Sequence, residues 1–349
     1  MASKKLSRRQ TLIGVTAATA SGWATRVISA APPATAITPA LIEAARKEAK
    51  LNFYTAMDIA VAEKLAKGFE AKFPGIAVRV ERSGSERLFQ RIGQEMGSNI
   101  RNVDLVNTAD AAHVIAWKRK GWLAPFLPED VARAWQPHYR DADGTWATVR
   151  IFLSVIAYNS KLVAPADAPR SFADLLDPKW SGKLVKGHPG YSGTIMTATH
   201  QMARDLGWSY FEKLAGQKVM QVQSSTDPPK KISLGERAVQ VDGGDYNVFI
   251  HKQAGAPVEI VYAAEGSPTI SGPNTIFAAA VNPNAARLFQ CWMCSREGQQ
   301  FFVGISGQYP AHGEVKGHSA RKQLADIKLM REDPVEVEAK ADEIKSKYT

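Results

Sequence analysis

The stretch VDGGDYNVFI, residues 241–250, presents an acid, a phenol and an amide directly after a short apolar run. Asp245, Tyr246 and Asn247 follow the glycine pair Gly243–Gly244, which permits a sharp turn and a close approach of the backbone. Such a segment is either a loop that turns a strand into a helix or one wall of a binding site. The elements around it decide between the two interpretations.

Residues 51–110 alternate strand and helix patterns. LNFYTA and IAVRVER indicate strands, and apolar residues at a spacing of four in AVAEKLAKGFEAKF indicate a helix. A helix over SERLFQRIGQEM and a strand at VDLVNTA follow, which predicts successive βαβ units and a largely parallel sheet.

Three of the predicted strands end in short polar loops. Ligands of open α/β sheets lie outside the carboxyl ends of the strands, so these loops are candidates for one wall of a site. Each loop can equally be a capping turn, because serine and aspartate are good helix starters. The candidate side chains are those of Thr55, Asp58, Ser83, Ser85 and Asp110.

A second candidate wall lies where an amphipathic helix begins in GYSGTIMTATHQMARDLG. The residues at its start are Ser192, Gly193 and Thr194. A helix N-terminus offers free backbone N–H groups and the positive end of the dipole, and therefore suits an anion. The alternative is that Ser192 is an ordinary N-cap.

The first 36 residues predict an export signal rather than part of the fold. A basic start, the pair Arg8–Arg9 and an apolar run from Leu12 to Ala20 are typical of a twin-arginine signal, with cleavage after Ala30 or Ala36. Five of the 44 basic residues and none of the 34 acidic residues lie here, so cleavage after Ala36 lowers the net charge from +10 to +5. No basic block interleaved with aromatic residues follows, and we do not expect nucleic acid as a partner.

Export to an oxidising compartment raises the question of the two cysteines, Cys291 and Cys294, which could pair there. They lie inside a helix predicted over NPNAARLFQCWMCSREGQQFF. A redox pair of the Cys-x-x-Cys kind is expected at the start of a helix, where the pKa of the thiol is lowered. Their position argues against redox chemistry, and their oxidation state stays open.

Four segments in this order resemble the iron(III)-type periplasmic solute-binding proteins of ABC importers. They are the DADGTW turn at 141–146, YNSKLV at 158–163, LLDPKWSGKL at 175–184 and NPNAARLF with SREGQQFF near the end, and the resemblance covers residues 50–312. It implies a type II periplasmic binding protein fold, with two α/β lobes joined by crossing strands. The implied division is 37–150 plus 271–320 for the first lobe and 151–270 plus 321–349 for the second.

The resemblance also implies a site. Ferric-binding members hold iron with a histidine, a glutamate and two adjacent tyrosines, and an anion at a helix start completes the shell. Here Asp58 stands at the histidine position, Ala109 at the glutamate position, and Tyr246 with Asn247 at the tyrosines. The helix start YSGT is retained, and Ser225 falls where the family often places an amide that assists the anion.

With one phenol of two and no carboxylate at 109, the metal half of the site is incomplete and the anion half is intact. The expected ligand is therefore a small organic anion, a carboxylate or a phosphonate, held by residues 192–194. Asp58 and Asp245 would be free to meet its cationic or hydroxylated end. The alternative is ferric iron, with Asp58 and Tyr246 as ligands; no resident cofactor is expected.

The resemblance implies binding rather than catalysis, a membrane permease as partner, a periplasmic location and a monomer. An exported enzyme is the alternative from another class. The sequence has neither a Gly-x-Ser-x-Gly elbow nor a His-Glu-x-x-His pair, and its seven histidines lack metal spacing. A sensor with the same fold would use the same closed surface and is not separated from a transporter by sequence.

Overall fold

The computed structural model describes residues 31–348. The twin-arginine motif and most of the predicted export signal lie outside the described residues. Residues 34–36 already belong to the packed protein, because the Thr35 N–H donates to the Leu127 carbonyl at 2.8 Å and the Thr35 carbonyl accepts from Glu129 at 2.9 Å. Cleavage after Ala30 preserves these contacts, whereas cleavage after Ala36 removes them.

Eleven strands are present in the described part of the chain. They are β1 (Lys50–Thr55), β2 (Ala77–Arg82), β3 (Leu105–Asn107), β4 (Ala147–Leu153), β5 (Ile156–Asn159), β6 (Leu184–Gly187), β7 (Met220–Val222), β8 (Val239–Gln240), β9 (Val258–Val261), β10 (Ser267–Ile276) and β11 (Leu329–Met330).

Twelve α-helices surround them within residues 31–348. They are α1 (Pro39–Glu48), α2 (Ile59–Lys72), α3 (Ser85–Gly97), α4 (Ala111–Arg119), α5 (Glu129–Ala134), α6 (Gly193–Leu206), α7 (Trp208–Ala215), α8 (Asp227–Ser233), α9 (Asp245–Gln253), α10 (Pro283–Cys294), α11 (Arg296–Ser306) and α12 (Pro334–Tyr348). No helix among the described residues is both long and apolar enough to cross a membrane.

The strands form two separate sheets, one in each lobe. The first has the order β11-β10-β3-β1-β2 with β4 beside β10, and the second has the order β7-β6-β8-β5-β9. The prediction of a two-lobe α/β fold is thus confirmed, but both sheets are mixed rather than largely parallel. β10 runs antiparallel to β3 and β4, and β5 runs antiparallel to β8 and β9.

The chain crosses between the sheets where β4 leads to β5 and where β9 leads to β10. The predicted lobe boundaries at 150/151 and 270/271 fall inside β4 and β10, which belong wholly to the first sheet. The C-terminal segment assigned to the second lobe contributes β11 to the first sheet. Its last helix, α12, packs Val337 and Ile344 against Ala112 of α4 and Met196 of α6, and so contacts both lobes.

Each lobe has its own apolar core. In the first lobe Phe53, Phe69, Phe289 and Trp292 form a continuous aromatic cluster with ring centroids 5.0–6.1 Å apart. The helix predicted over 282–302 is two helices, because Ser295 has an extended backbone and caps α11 by accepting from Gly298.

Both cysteines lie in α10 and are unpaired and buried. Burial raises the pKa of the Cys291 thiol to about 12 and that of the Cys294 thiol well above its usual value. Neither is suited to act as a thiolate at neutral pH.

Candidate functional site

The cleft between the two lobes has an apolar floor to which both contribute. Ala109, Phe152 and Ile270 come from the first lobe, and Ala198 and Tyr246 from the second. The Phe152 and Tyr246 rings meet edge to face with centroids 5.3 Å apart. The predicted site residues lie at strand ends and helix starts of both lobes.

On the first lobe, the loops after β1 and β2 follow the predicted pattern. Asp58 is the N-cap of α2 and accepts from the Ala60 N–H at 3.0 Å. Thr55 is fully buried and its hydroxyl accepts from Met57, so it stabilises the turn and is not presented to a ligand. Ser83, directly after β2, donates its N–H to the Thr55 carbonyl at the end of β1 and so joins the two strand ends.

Ser85 and Asp110 instead contact the opposite lobe directly. The Ser85 hydroxyl accepts from the backbone N–H of Gly193 at 2.8 Å. A Cβ on Gly193 would lie 2.6 Å from the Asp110 Cβ and 2.7 Å from the Ser85 hydroxyl, so glycine is required for this approach. Asp110 also caps α4, as its capping interpretation predicted, by accepting from Ala112.

On the second lobe, the start of α6 and the loop before α9 form the facing wall. Ser192 caps α6 with a 3.4 Å bond from Ile195, and Thr194 beside it is buried. The Ser225 carbonyl accepts from the N–H of Gly244, which ties the loop at 225 to the opening of α9.

Tyr246 is buried at the floor of the cleft, 2% exposed. Burial is the main cause that raises the pKa of its hydroxyl; Arg150 opposes the rise and Asp58 adds to it. The phenol is therefore protonated at neutral pH and available as a hydrogen-bond donor. The neighbouring Asn247 amide oxygen is buried with no hydrogen-bond partner among residues 31–348.

Asp245 is not available to a ligand in the cleft, contrary to the prediction. One carboxylate oxygen forms a buried ion pair with Arg321, and the other accepts from the N–H groups of Leu153 at 3.1 Å and Tyr246 at 2.7 Å. The hypothesis that Asp245 is free to meet a ligand is wrong, because these partners engage both oxygens. Its role is to fix α9 against β4.

Arg150 is a residue of the cleft that the sequence analysis missed. It lies in β4, is fully buried, and its guanidinium donates to the amide oxygens of Asn107 at 2.7 Å and Gln308 at 3.0 Å. The residue paired with it, Gly272, makes room for it, because a Cβ there would lie 2.6 Å from the Arg150 side chain.

No acidic side chain among residues 31–348 forms an ion pair with Arg150, and its Nη2 has no hydrogen-bond partner there. Burial lowers the pKa of the guanidinium to about 10; the Tyr246 hydroxyl opposes this and Arg82 adds to it. A buried cation held only by neutral groups is costly unless an anion compensates it.

Arg82 is a second cationic residue of the cleft that the sequence analysis did not identify. It lies at the end of β2 and reaches across the cleft, donating to the hydroxyls of Ser224 at 3.3 Å and Thr226 at 3.4 Å. Its Nε donates to the Met57 carbonyl at 3.1 Å, which orients it. Its charge lowers the pKa of both Arg150 and Tyr246, as is expected of a cation in the same region.

One group of described residues could hold a metal ion by composition: Glu86, Asp110 and His113 offer ligand atoms within 4.8 Å of one another. These atoms already have partners. His113 Nε2 bonds Glu86 at 2.8 Å and its Nδ1 bonds Thr108 at 2.9 Å, while Lys345 contacts the second Glu86 oxygen at 3.0 Å. A metal would have to break these bonds, so the arrangement is a buried charge network that anchors α12.

Residues 54–300 match the family model described as bacterial extracellular solute-binding protein. A probable ABC transporter periplasmic-binding protein of Sinorhizobium fredii is 23% identical over 290 residues, 79% of each chain. A putative 2-aminoethylphosphonate-binding periplasmic protein of Salmonella typhimurium is 27% identical over 259 residues, 70% of this chain and 72% of the relative.

Among solved structures, the periplasmic binding protein AfuA of Actinobacillus pleuropneumoniae, with fructose-6-phosphate bound, has a TM-score of 0.78 at 23% identity. The similarity covers 86% of this chain and 97% of AfuA. Iron-bound HitA of Pseudomonas aeruginosa has a TM-score of 0.74 at 23% identity, over 86% and 99% of the two chains. These similarities confirm the resemblance and the fold inferred from the sequence.

Proposed function

The chain belongs to the family of bacterial extracellular solute-binding proteins, and we propose that its ligand is a small organic anion. A relative similar to it is a probable periplasmic-binding protein of an ABC transporter. The ligand class is a carboxylate or a phosphonate, bound in the cleft between the lobes. The observation that carries the proposal is Arg150, a fully buried guanidinium without a carboxylate partner among residues 31–348.

The anion would be bound by groups from both lobes. Arg150 and Arg82 supply positive charge, and the Tyr246 hydroxyl lies close enough to both to be affected by their charge. Ser192 and Thr194 place the positive end of the α6 dipole at the opposite wall. Asp58, whose charge also reaches Tyr246, is the acid that remains available to a cationic end, as in an aminophosphonate.

The same surroundings favour an anion over ferric iron, the alternative ligand. Two guanidinium groups near Tyr246 oppose the approach of a trivalent cation. Of the two predicted iron ligands, Tyr246 is a neutral phenol with a raised pKa. The putative 2-aminoethylphosphonate-binding relative has a ligand of the proposed chemistry and AfuA binds a related phosphate ester, whereas HitA binds iron.

Contacts across the cleft support closure of the lobes around the ligand as the working mechanism. Ser85 meets Gly193, and Arg82 meets Ser224 and Thr226. A ligand that joins groups of both lobes stabilises the closed form by its differential affinity for that form. The closed surface is the one we expect a membrane permease to recognise, and we expect the protein to act as a monomer.

A ligand screen tests the proposal on metal-stripped protein lacking residues 1–30. The arms are 2-aminoethylphosphonate, inorganic phosphate, citrate and ferric iron with citrate, each followed by thermal unfolding and calorimetry. A ligand at a hundred times its Kd stabilises by about 2.7 kcal/mol. Stabilisation by ferric iron with a visible tyrosinate absorption band, and none by the metal-free anions, would contradict the proposal.

The route of export forms a second part of the proposal. The pair Arg8–Arg9 directs export through the twin-arginine pathway, and cleavage after Ala30 is favoured because it keeps Thr35 bonded to Leu127. The mass of the protein isolated from the periplasm tests this, because it reports the first residue directly. Replacement of both arginines by lysine should leave the precursor in the cytoplasm.

A further inference from the structure

A cavity on the first lobe is lined by residues outside the proposed anion site, and none of the relatives' names accounts for it. Strands β4, β10 and β11 and the starts of α4 and α12 surround it, and its volume is about 520 Å³. We call it the Glu332 pocket. The residues that define its chemistry are Tyr139, Trp146, Thr148, Thr269, Ser271 and Glu332.

Glu332 supplies a negative charge that the protein itself leaves uncompensated. Its Oε1 accepts from the Ser271 N–H at 3.1 Å, and no basic side chain among residues 31–348 forms an ion pair with it. The residues lining the pocket that can carry a positive charge are His138 and Arg331, and the Arg331 Nη2 lies 3.4 Å from an Asp333 carboxylate oxygen instead.

Burial raises the pKa of Glu332 to about 7, although hydrogen bonds from Ser271 act in the opposite direction. The charge of Asp110 nearby adds to the rise. A bound cation would remove this penalty by compensating the carboxylate.

Two buried hydroxyl groups line the same pocket without partners. Thr148 is 1% exposed and Thr269 is 8% exposed, and neither Oγ1 has a hydrogen-bond partner among residues 31–348. Buried polar atoms are normally satisfied, so two such groups beside one carboxylate indicate a place for a polar ligand. Hydroxyl groups can accept from an N–H or O–H group of that ligand or donate to its oxygen.

Aromatic rings complete the lining. Tyr139 and Trp146 are partly buried and contribute to the wall. The electron-rich faces of tyrosine and tryptophan attract organic cations, and tryptophan does so most strongly. Carboxylate, aromatic rings and free hydroxyls together have the chemistry that selects an ammonium group attached to a hydroxylated chain.

We propose that the Glu332 pocket is a second binding site, distinct from the cleft, which takes a small organic ammonium ion. The cation contacts the Glu332 carboxylate and the aromatic wall of Tyr139 and Trp146, and the hydroxyls of Thr148 and Thr269 bind its polar end. The cavity of about 520 Å³ holds a molecule of this size with water.

The test uses choline as the probe and its neutral isostere 3,3-dimethyl-1-butanol as the comparison, by calorimetry at pH 8, where Glu332 is mostly ionised. Saturable one-to-one binding of choline, at least tenfold tighter than that of the isostere, is expected. Equal binding of the two compounds would overturn the proposal, because an apolar cavity would explain it. Absence of saturable choline binding would overturn it as well.

Glu332→Gln should weaken choline binding at least tenfold. The matched control is Asp342→Asn, which removes one negative charge from an exposed position of α12. Asp58→Asn separates the two sites, because Asp58 is the acid proposed to meet a cationic group in the cleft. Loss of choline binding in Asp58→Asn and not in Glu332→Gln would assign the probe to the cleft and overturn the proposal.

Circular dichroism first establishes that each variant is folded. If Glu332→Gln fails to fold, Trp146→Leu replaces it and should also weaken choline more than the isostere. An equal loss of affinity for both compounds in that variant would show that binding does not depend on the positive charge of choline, and would overturn the proposal.

Discussion

Arg150 gives the sharpest prediction, because its buried charge should strengthen binding of the anion while burial of that charge costs stability in the unbound protein. Arg150→Gln removes the charge and keeps an amide that can still donate to Asn107 or Gln308, the two present partners. An anion that loses its buried cationic partner binds about 2–4 kcal/mol more weakly. The Kd should therefore rise by roughly 30- to 1,000-fold.

The stability of the unbound protein should change much less. The pKa of Arg150 falls from 12.5 to about 10 on burial, which corresponds to about 3 kcal/mol against the folded state at pH 7, where both states are protonated. The substitution relieves this penalty and loses a hydrogen bond to a charged group, worth about 1.5–3 kcal/mol. The two effects nearly cancel.

The assay is calorimetric titration of 2-aminoethylphosphonate and inorganic phosphate at pH 7.5, with urea unfolding of the same preparations. Arg79→Gln is the matched control, because Arg79 lies on β2 with 74% of its side chain exposed. An unchanged Kd in Arg150→Gln would refute the assignment of the anion site. Loss of more than about 4 kcal/mol of unfolding free energy would show instead that Arg150 is a structural cation.

Three further predictions concern the residues around the cleft. The charges of Asp110 and Glu86 raise the pKa of His113 against the effect of burial. The contribution of protonated His113 to stability is therefore full below pH 6.5 and is lost as the pH rises through the raised pKa. His113→Asn should flatten the change in unfolding free energy between pH 6 and pH 9. Asp245→Asn should cost about 3–5 kcal/mol in urea unfolding by leaving its buried cationic partner uncompensated, and an unchanged midpoint would contradict the ion pair. Gly193→Ala should hinder closure, because the new Cβ meets the opposite lobe, and small-angle scattering should then show no ligand-induced compaction, whereas normal compaction would place the lobe contact elsewhere.

The loops of the cleft were predictable because they depend on local order. Alternating strand and helix patterns place the ends of successive strands at one edge of a sheet, and the loops carrying Asp58, Ser85 and Asp110 lie where this rule puts them. The start of α6 was predictable for the same kind of reason, since Ser192 precedes the apolar periodicity of that helix. These signals extend over fewer than twenty residues.

Arg150 could not be assigned from sequence, because its surroundings come from distant segments. Asn107, Gly272 and Gln308 hold and accommodate its side chain, and each lies more than 40 residues away. A charge inside the apolar run ATVRIFLSV was the available signal, and it does not say which face of the strand is buried. Asp245 illustrates the converse, because its neighbour Tyr246 reaches the cleft while Asp245 is turned towards Arg321, 76 residues further on.

The apolar run at 151–159 shows why the lobe boundaries were misplaced. The run looks continuous in sequence, but its first residues belong to β4 of the first sheet and its last residues to β5 of the second sheet. Ser154 lies at the crossing, where its N–H donates to the Pro268 carbonyl and its hydroxyl accepts from Gly243. Hydrogen bonds to segments a hundred residues away define this boundary, and no local pattern contains them.

In the proposed function, the position of Arg150 links recognition of the anion to closure of the lobes. Arg150 belongs to β4, the strand that leads directly into the crossing, whereas Tyr246 and the start of α6 belong to the second lobe. An anion on Arg150 alone would compensate one buried charge, but the Tyr246 hydroxyl and the positive end of the α6 dipole come near it only when the second lobe approaches. The binding energy from those second-lobe groups is therefore gained in the closed form, and that difference in affinity is what can shift the lobes towards closure. Selection of the proposed anion and closure of the protein are therefore consequences of the same contacts.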